Sequence, residues 1–322
     1  MFKTTTFTLA AVIAAGLCAN PAVRANSTQP EDAMNLSKTE STDFPSTIAL
    51  EINGKTRAVL LLRGVPRPAL NPVYGPYGLV MTRLYPMEER AHEKHDHTHH
   101  NGLWYAHGDV NGYDFWIKED IKVTTCAVAT SDGACSVKMH CDWTTHQGET
   151  ICTDRRAITL RDEGEDLIID YEIELIASHG DVVFGDTKEG TMALRLAPQL
   201  RHRGEAATGA ILNSEGQSND DAWGKRANWV DDWGEIDGKT VGAAIFDHPD
   251  NPIHPTWWHA RDYGLFAANP FGVHDFEKKP EGTGDYKLLS GHSLHFRYRF
   301  IFHVGDAQTA RIAERYQAYT QE

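Results

Sequence analysis

Histidines are concentrated in the segment HEKHDHTHHNGLWYAHGD, residues 92–109. Neutral imidazole binds transition metals, and its proton equilibrium lies near neutral pH, so the cluster predicts either metal binding or general acid–base catalysis. We predict that the catalytic histidines are His97, His99, His100 and His107. The first three could instead bind zinc, copper or iron, and Asp109 and Asn111 would bind substrate. The alternative is a solvated polar loop.

Aromatic and polar side chains are mixed in a second segment, HPTWWHARDYGLFAANPFG, residues 254–272. Sugar sites use this combination, because the C–H face of a sugar ring stacks on an aromatic ring while its hydroxyls pair with polar groups. We predict catalytic roles for His259 and Arg261, and substrate binding by Trp258, Tyr263 and Asn269. The alternative is that the aromatic residues belong to the core.

A third segment, which lies between these two clusters in the sequence, supplies two further candidate site residues, one acidic and one basic. In GDTKEGTMALRLA, Glu189 could act with a histidine in catalysis, and Arg195 could bind an anionic group of the substrate. A surface salt bridge explains both residues almost as well.

The elements that must position these residues read as β-strands. Residues 120–178 show four stretches of alternating apolar and polar residues, separated by turns at Asp132-Gly133, Gln147-Gly148 and Glu163-Gly164. GLVMTRLYP, residues 78–86, also reads as a strand, whereas only AQTARIAERYQAYTQE at the end of the chain has helical spacing. We therefore predict an all-β fold, a large antiparallel β-sandwich of the supersandwich type with one short C-terminal helix.

Four cysteines lie in the strand-rich region. If the second hairpin turns between His146 and Gln147, Cys141 and Cys152 fall opposite each other, where cross-strand Cβ atoms are close enough for a disulfide. Cys126 and Cys135 are out of register in the first hairpin. The alternative is four buried thiols.

The N-terminal residues predict export. Lys3 precedes an apolar run from Phe7 to Leu17, and Val23-Arg24-Ala25 suits signal peptidase, so residues 1–25 are predicted to be a signal peptide. Residues 26–44 would be a disordered tether, and residues 45–322 a single domain in the periplasm or outside the cell. Lipid attachment at Cys18 is an alternative that Leu17 disfavours.

Charge and hydropathy narrow the range of partners. The formal net charge of −14 argues against nucleic acid, which needs a basic surface. No stretch after the signal segment has the length of an apolar membrane helix. We expect a glycan or small sugar as the partner, and the sequence leaves the oligomeric state open.

Three strings carry a family resemblance: DHTHHNGLWYAHGDVNGYDFW, TKEGTMALRLA and HPTWWHARDYGLFAANPFG. They resemble the signatures of the bacterial family labelled PmoA, and the likeness extends from Arg63 to His303. The resemblance implies a secreted β-sandwich related to galactose mutarotase, from bacteria that degrade complex glycans, with no settled reaction. The label itself names a membrane oxygenase subunit, which a chain without a membrane helix cannot be. Thr98 and Asn101 depart from the family pattern.

Three functions are consistent with these features. The first is a carbohydrate-active hydrolase, lyase or epimerase with histidine–carboxylate acid–base catalysis, which needs no cofactor. The second is a metal-dependent enzyme, such as an oxygenase, with histidine ligands. The third is a glycan-binding protein without catalysis, which would not require so many histidines.

Overall fold

Alternating apolar and polar residues form antiparallel strands throughout the computed structural model, which describes residues 42–322. The strands are β1 Thr47–Ile52, β2 Lys55–Leu61, β3 Ala69–Val73, β4 Leu103–His107, β5 Asp120–Ser131, β6 Ala134–Thr144, β7 Thr150–Glu163, β8 Asp166–Ile176, β9 Val182–Phe184, β10 Gly190–Arg195, β11 Ala210–Asn213, β12 Trp229–Ile236, β13 Lys239–Asp247, β14 Trp257–Trp258, β15 Leu265–Asn269, β16 Tyr286–Leu288 and β17 Ser293–Val304. The α-helices are α1 Val273–Glu277 and α2 Ile312–Tyr319, and 3-10 turns occur at Pro76–Gly78, Pro198–Leu200 and Asn219–Ala222.

Two large sheets form the sandwich. The seven-stranded sheet has the order β1-β2-β3-β4-β10-β15-β14, the eight-stranded sheet has the order β11-β12-β13-β17-β8-β7-β6-β5, and β9 and β16 form a small third sheet. Side chains of both large sheets share one apolar core, in which Tyr105 of β4 contacts Trp143 of β6 and Phe296 of β17. The predicted all-β sandwich is confirmed.

A second, smaller apolar cluster lies on the outer face of the eight-stranded sheet. Ile312 and Tyr316 of α2 pack there against Phe246 and Ile301. The predicted C-terminal helix is thus present, and it buries a stripe of the sheet that would otherwise be exposed to water. The helix α1 is an additional single turn that the sequence pattern did not indicate.

The segment 78–86 differs from the prediction. It forms isolated bridges, Val80 with Tyr74 and Thr82 with Leu196, instead of a strand. Arg83 explains the departure, because its buried guanidinium binds the backbone of the histidine-rich loop and the segment must follow that loop.

The predicted disulfide is wrong. Cys141 pairs with Asp154 across the strands, and Cys152 pairs with Trp143, so the two cysteines are two positions out of register. Thr144 pairs with Thr150, so the turn is centred on Gln147, and a bulge between Trp143 and Thr144 adds the second part of the shift. Cys141 and Cys152 are buried thiols, and burial raises the pKa of both well above the usual value.

The N-terminal predictions concern residues that the structure mostly does not describe. The signal peptide, Cys18 and residues 26–41 of the tether lie outside the described range. Phe44 is buried and lies under the Arg63 guanidinium at 4.5 Å, so this residue belongs to the folded part, one residue earlier than expected. Among residues 42–322, no helix has the length and apolar character needed to cross a membrane.

Candidate functional site

Arg83 holds the histidine-rich loop in place. Its guanidinium is buried and donates hydrogen bonds to the carbonyl groups of Lys94 (3.3 Å), Asp96 (2.9 Å), His97 (2.7 Å) and His100 (3.4 Å). These carbonyls have no strand or helix partner, and buried carbonyl groups require donors. One arginine therefore replaces regular secondary structure and gives the loop a defined shape.

Asp96 links two arginines to His97. Its Oδ1 accepts hydrogen bonds from Arg83 at 2.9 Å and Arg195 at 3.3 Å, and lies 3.2 Å from Nδ1 of His97. Burial alone would raise the pKa of Asp96, but the hydrogen bond with His97 and the positive charges of Arg195, His97 and Arg83 lower it. An ionised Asp96 accepts a hydrogen bond from the Nδ1–H of His97, which leaves Nε2 of His97 for a ligand.

His97 belongs to a column of stacked rings. Its ring stacks on Tyr263 with centroids 5.2 Å apart and on His100 at 4.8 Å, and His100 stacks in turn on Trp104 at 5.2 Å. The side chain of His97 is still 39% exposed. Because stacking covers the ring faces and Asp96 lies on the Nδ1 side, we infer that a ligand would reach His97 at the edge that carries Nε2.

His100 is the ring of the column between His97 and Trp104. It is buried, and its Nδ1 lies 3.1 Å from Nη1 of Arg195. A guanidinium only donates, so Nδ1 of His100 accepts. Burial, followed by the charge of Arg195, lowers the pKa of His100 well below its usual value. His100 is a neutral, buried acceptor, which suits a positioning role better than the predicted proton transfer.

His99 is a partly buried neighbour of this column. Burial and the charge of Arg67 lower its pKa to about 4, so it is neutral near pH 7. Its backbone carbonyl accepts a hydrogen bond from the buried Arg67 at 2.8 Å. The loop is thus anchored by a second arginine beside Arg83.

His107 lies inside the scaffold and away from the loop surface. It is fully buried, and its Nε2 donates to the Gly185 carbonyl at 2.7 Å. A Cβ atom at Gly190 would come within 2.5 Å of its Nδ1, so the ring fills the space that this glycine leaves. Burial lowers the pKa of His107 to about 4. Its surroundings indicate packing where we predicted catalysis.

Asp109 and Asn111 shape the next turn. Asp109 Oδ1 accepts the Gly112 N–H at 2.8 Å, and the Asn111 side chain bonds to the backbone of Asp181 at 3.1 Å and Val183 at 2.7 Å. Their polar atoms are used within the protein, whereas we predicted contacts with substrate.

The tryptophan-rich segment is mostly core. Trp258 has no exposed surface, and its indole N–H donates to the Ala227 carbonyl at 2.8 Å. Asn269 is also buried and donates to the Thr187 carbonyl at 2.8 Å. Neither side chain offers a surface to a sugar, because the strands that carry them lie under other elements. We predicted that both residues bind substrate because aromatic and polar residues are mixed in this segment, but the same mixture also occurs in a buried core.

His259 lies between the core and the site. Its Nδ1 donates to the Lys188 carbonyl at 3.0 Å, and burial, followed by the charge of Arg261, lowers its pKa to about 3. The ring is therefore neutral and carries its lone pair on Nε2. This geometry orients His259 without exposing it.

The end of the same segment does reach the site. Arg195 of β10 pairs with Leu265 of β15, which brings the neighbouring Tyr263 ring to 4.5 Å from the Arg195 guanidinium. Arg261 lies over the same ring at 5.5 Å. Burial raises the pKa of Tyr263; Arg261 and Arg195 oppose this, and the carboxylate of Glu189 adds to it. Glu189 thus lies within electrostatic reach of the column, with its side chain 31% exposed.

An open pocket of about 290 Å³ adjoins Arg261. Its lining residues are Arg203, Asp220, Trp223, Ala260, Arg261 and Asp262. Sequence reasoning missed Trp223, Arg203 and Asp220, which follow no recognisable pattern, and it also missed Arg83. A signal for Arg83 existed, because a single cation inside the apolar run GLVMTRLYP must be buried with partners.

The predicted metal ligands do not form a ligand set in this arrangement. Within residues 42–322, no three or more His, Cys, Asp or Glu side chains lie close enough together to hold a metal ion. His97 and His100 stack face to face, and Nδ1 of His100 already faces Arg195. Zinc, copper or iron binding stays an untested prediction.

Comparisons with solved structures find weak likenesses. A GH36 α-galactosidase, AgaA, from Geobacillus stearothermophilus in complex with 1-deoxygalactonojirimycin matches with 10% identity and a TM-score of 0.43, over 82% of this chain and 41% of that one. This chain therefore spans about two fifths of that enzyme. A galactose mutarotase related enzyme from Lactobacillus acidophilus matches with 9% identity and a TM-score of 0.33, over 80% and 97% of the two chains. Likenesses of this size do not identify a shared activity.

Sequence comparison identifies a family. No curated protein matches the chain. A family model described as a family of unknown function, DUF6807, matches residues 47–317, and the PmoA label expected from the sequence strings does not accompany it. The match covers both large sheets and every residue of the site described above, and the chain therefore belongs to the DUF6807 family.

Proposed function

We propose that the protein is a carbohydrate-active enzyme in which His97 transfers a proton as general acid or base. The observation that carries the proposal is the Asp96–His97 pair, because a carboxylate bound by two buried arginines lies at Nδ1 of a histidine whose side chain is 39% exposed. General acid–base groups require this combination of fixed orientation and access.

The surrounding residues supply the other parts of an acid–base site. Glu189 is the second carboxylate; its charge acts on Tyr263, its Oε1 lies 3.5 Å from Nζ of Lys188, and its side chain is 31% exposed and can contact a substrate. Arg261 provides a cation for negative charge that develops during reaction. Asp96 and His100 are positioning residues, since they act through His97.

A sugar is the substrate class that the pocket beside Arg261 suits best. The pocket joins one aromatic side chain, Trp223, with two arginines and two carboxylates. Its volume of about 290 Å³ suits a single sugar ring. Aromatic and charged groups around one small pocket favour a polyhydroxylated ligand over an apolar one.

The decisive experiment compares three proteins on a panel of oligosaccharides and glycosides, with products followed by mass spectrometry. We expect His97→Ala to lower kcat/KM by about 10²- to 10⁴-fold, the usual contribution of a general acid or base. His95→Ala is the matched control, because His95 is an exposed histidine of the same loop that stacks on Tyr85 instead of Tyr263. Turnover by His97→Ala at the wild-type rate would contradict the proposal.

Two other outcomes separate the alternative functions. If turnover requires zinc, copper or iron that a chelator removes, and elemental analysis finds near-stoichiometric metal, the metal-dependent enzyme is correct. Saturable glycan binding with no product from any substrate would identify a binding protein.

Export is a separate part of the proposal and depends on the N-terminal sequence alone. Lys3 and the apolar run to Leu17 support cleavage after Ala25. N-terminal sequencing of the mature protein from cell fractions tests it, and an intact Met1 on cytoplasmic protein would contradict it.

A further inference from the structure

Some of the charged side chains that line the pocket beside Arg261 form ion pairs with each other, and others do not. Arg203 pairs with Asp220 at 2.7 Å and with Asp262 at 3.5 Å, and His202 also contacts Asp220 at 3.1 Å. Both carboxylates of the pocket therefore already have cationic partners. Arg261 is the remaining charge.

The Arg261 side chain makes no hydrogen bond or ion pair with any residue of the described range 42–322. Its neighbour is the ring of Tyr263, 5.5 Å from the guanidinium carbon. The planar guanidinium presents five N–H donors in a geometry that matches a carboxylate, and Tyr263 can stabilise it without occupying these donors. Its donors remain free for a ligand.

The region behind Arg261 is also rich in cations, although the whole chain carries a formal net charge of −14. Arg67, Arg83 and Arg195 are buried around the loop, and within residues 42–322 Asp96 alone forms an ion pair with any of them. Arg195 lies over the same Tyr263 ring as Arg261. An excess of arginine at one place in an acidic protein favours an anionic ligand.

We propose that the site takes an acidic sugar, and that Arg261 binds its carboxylate in the pocket that Trp223 lines. This inference rests on the proposed function and names its substrate class. A uronic acid combines a planar carboxylate, which fits the guanidinium in a bidentate manner, with a ring face that can pack on an indole. Tyr263 lies between the two groups, because its ring is next to the Arg261 guanidinium and stacks on His97.

The test measures binding of glucuronate and galacturonate by calorimetry, with glucose, galactose and the two uronate methyl esters as uncharged counterparts. We expect the wild-type protein to bind at least one uronate about 10-fold or more tightly than its ester and its neutral sugar, since a charge-assisted pair is lost in both. Arg261→Gln should abolish this preference, so that uronates and their uncharged counterparts bind with similar affinity.

Arg311→Gln is the matched control. It removes one cation from an exposed position, 73% accessible, at the start of α2, and should leave the uronate preference unchanged. Equal affinities for uronates and their esters, no uronate binding in the millimolar range, or an unchanged preference in Arg261→Gln would each overturn the inference.

The two proposals fail in different ways. If neutral glycosides are turned over in a His97-dependent reaction and uronates have no advantage, the acidic-sugar inference is wrong and the proposed function stands. If uronates bind through Arg261 but no glycan of the panel is converted, the carboxylate site stands and the enzymatic proposal is wrong.

Discussion

Two of the histidine–aspartate pairs within residues 42–322 lie in opposite environments. In the loop, Nδ1 of His97 lies 3.2 Å from Asp96, and the two side chains are 39% and 36% exposed. In the eight-stranded sheet, Nε2 of His303 lies 2.7 Å from Asp231, and both side chains are fully buried. The chemical groups are the same, so the surroundings alone decide whether the pair can act on a ligand.

The buried pair is built into the packing. His303 faces Gly242 across the strands, and a Cβ at this glycine would lie 2.4 Å from the ring. Burial alone would lower the pKa of His303, but the charge and hydrogen bond of Asp231 raise it. No edge of this ring is left for a substrate. The pair is an internal ion pair, whereas the loop pair keeps one nitrogen accessible.

The largest expected effect comes from breaking the buried pair. His303→Ala leaves the Asp231 carboxylate buried without its partner, which should lower the free energy of unfolding by about 3–5 kcal/mol. Urea unfolding at pH 7 measures it. The fraction that remains folded should keep the wild-type kcat, since His303 shares no contact with the loop; a loss of activity in the folded protein would place this pair in the site.

Two buried histidines should respond to pH with opposite signs. The raised pKa of His303 gives a contribution to stability that is present below about pH 6.5 and is lost as the pH rises through that pKa. His107 has no carboxylate, and burial lowers its pKa to about 4. Its contribution is therefore lost as the pH falls from about 6.5 to 4, by about 3 kcal/mol.

His107→Gln isolates the second effect. The glutamine amide can still donate to the Gly185 carbonyl, but it does not titrate. Unfolding free energies at pH 7 and pH 4.5 should differ less in this variant than in the wild type, although His100 and His259 retain their own acid sensitivity. An identical difference in both proteins would show that His107 does not carry the expected proton linkage.

The sequence predicts the scaffold better than the site because the two depend on different information. Strand alternation and the Asp132-Gly133 turn are local, and they yield the meander of β5 to β8. Which aromatic residue reaches the surface depends on how the sheets cover each other. Trp258 and Tyr263 are five residues apart in similar surroundings in the sequence, yet one is fully buried and the other contacts His97.

Long-range partners account for the remaining differences. The histidine-rich loop was recognisable from composition, but the roles of its histidines follow from Arg83, Arg195 and Tyr263, which lie elsewhere in the chain. The cysteine error has a similar origin, since a bulge beside Trp143 moves the register without a clear sequence signal.

Asp96→Asn should show what the exposed pair needs. We expect kcat to fall by about 10²-fold, because a neutral amide can either accept from or donate to Nδ1 and so no longer holds His97 in one tautomer. Thermal unfolding must be measured alongside, since Arg83 and Arg195 lose their counter-ion. A loss of rate no larger than the loss of folded protein would indicate a purely structural role.

Asp232 gives a contrast to Asp231, its neighbour on β12. Both of its carboxylate oxygens are buried without a hydrogen-bond partner, and burial, with the Asp231 charge, raises its pKa well above the usual value. A carboxyl with a raised pKa favours the folded state while it is protonated, and this contribution is lost as the pH rises above the pKa of the unfolded chain. Asp232→Asn, which stays neutral, should therefore have a higher free energy of unfolding at pH 7 than the wild type. At pH 3.5 the two proteins should be nearly equal; equal stability at pH 7 would mean that Asp232 is not held neutral by its burial.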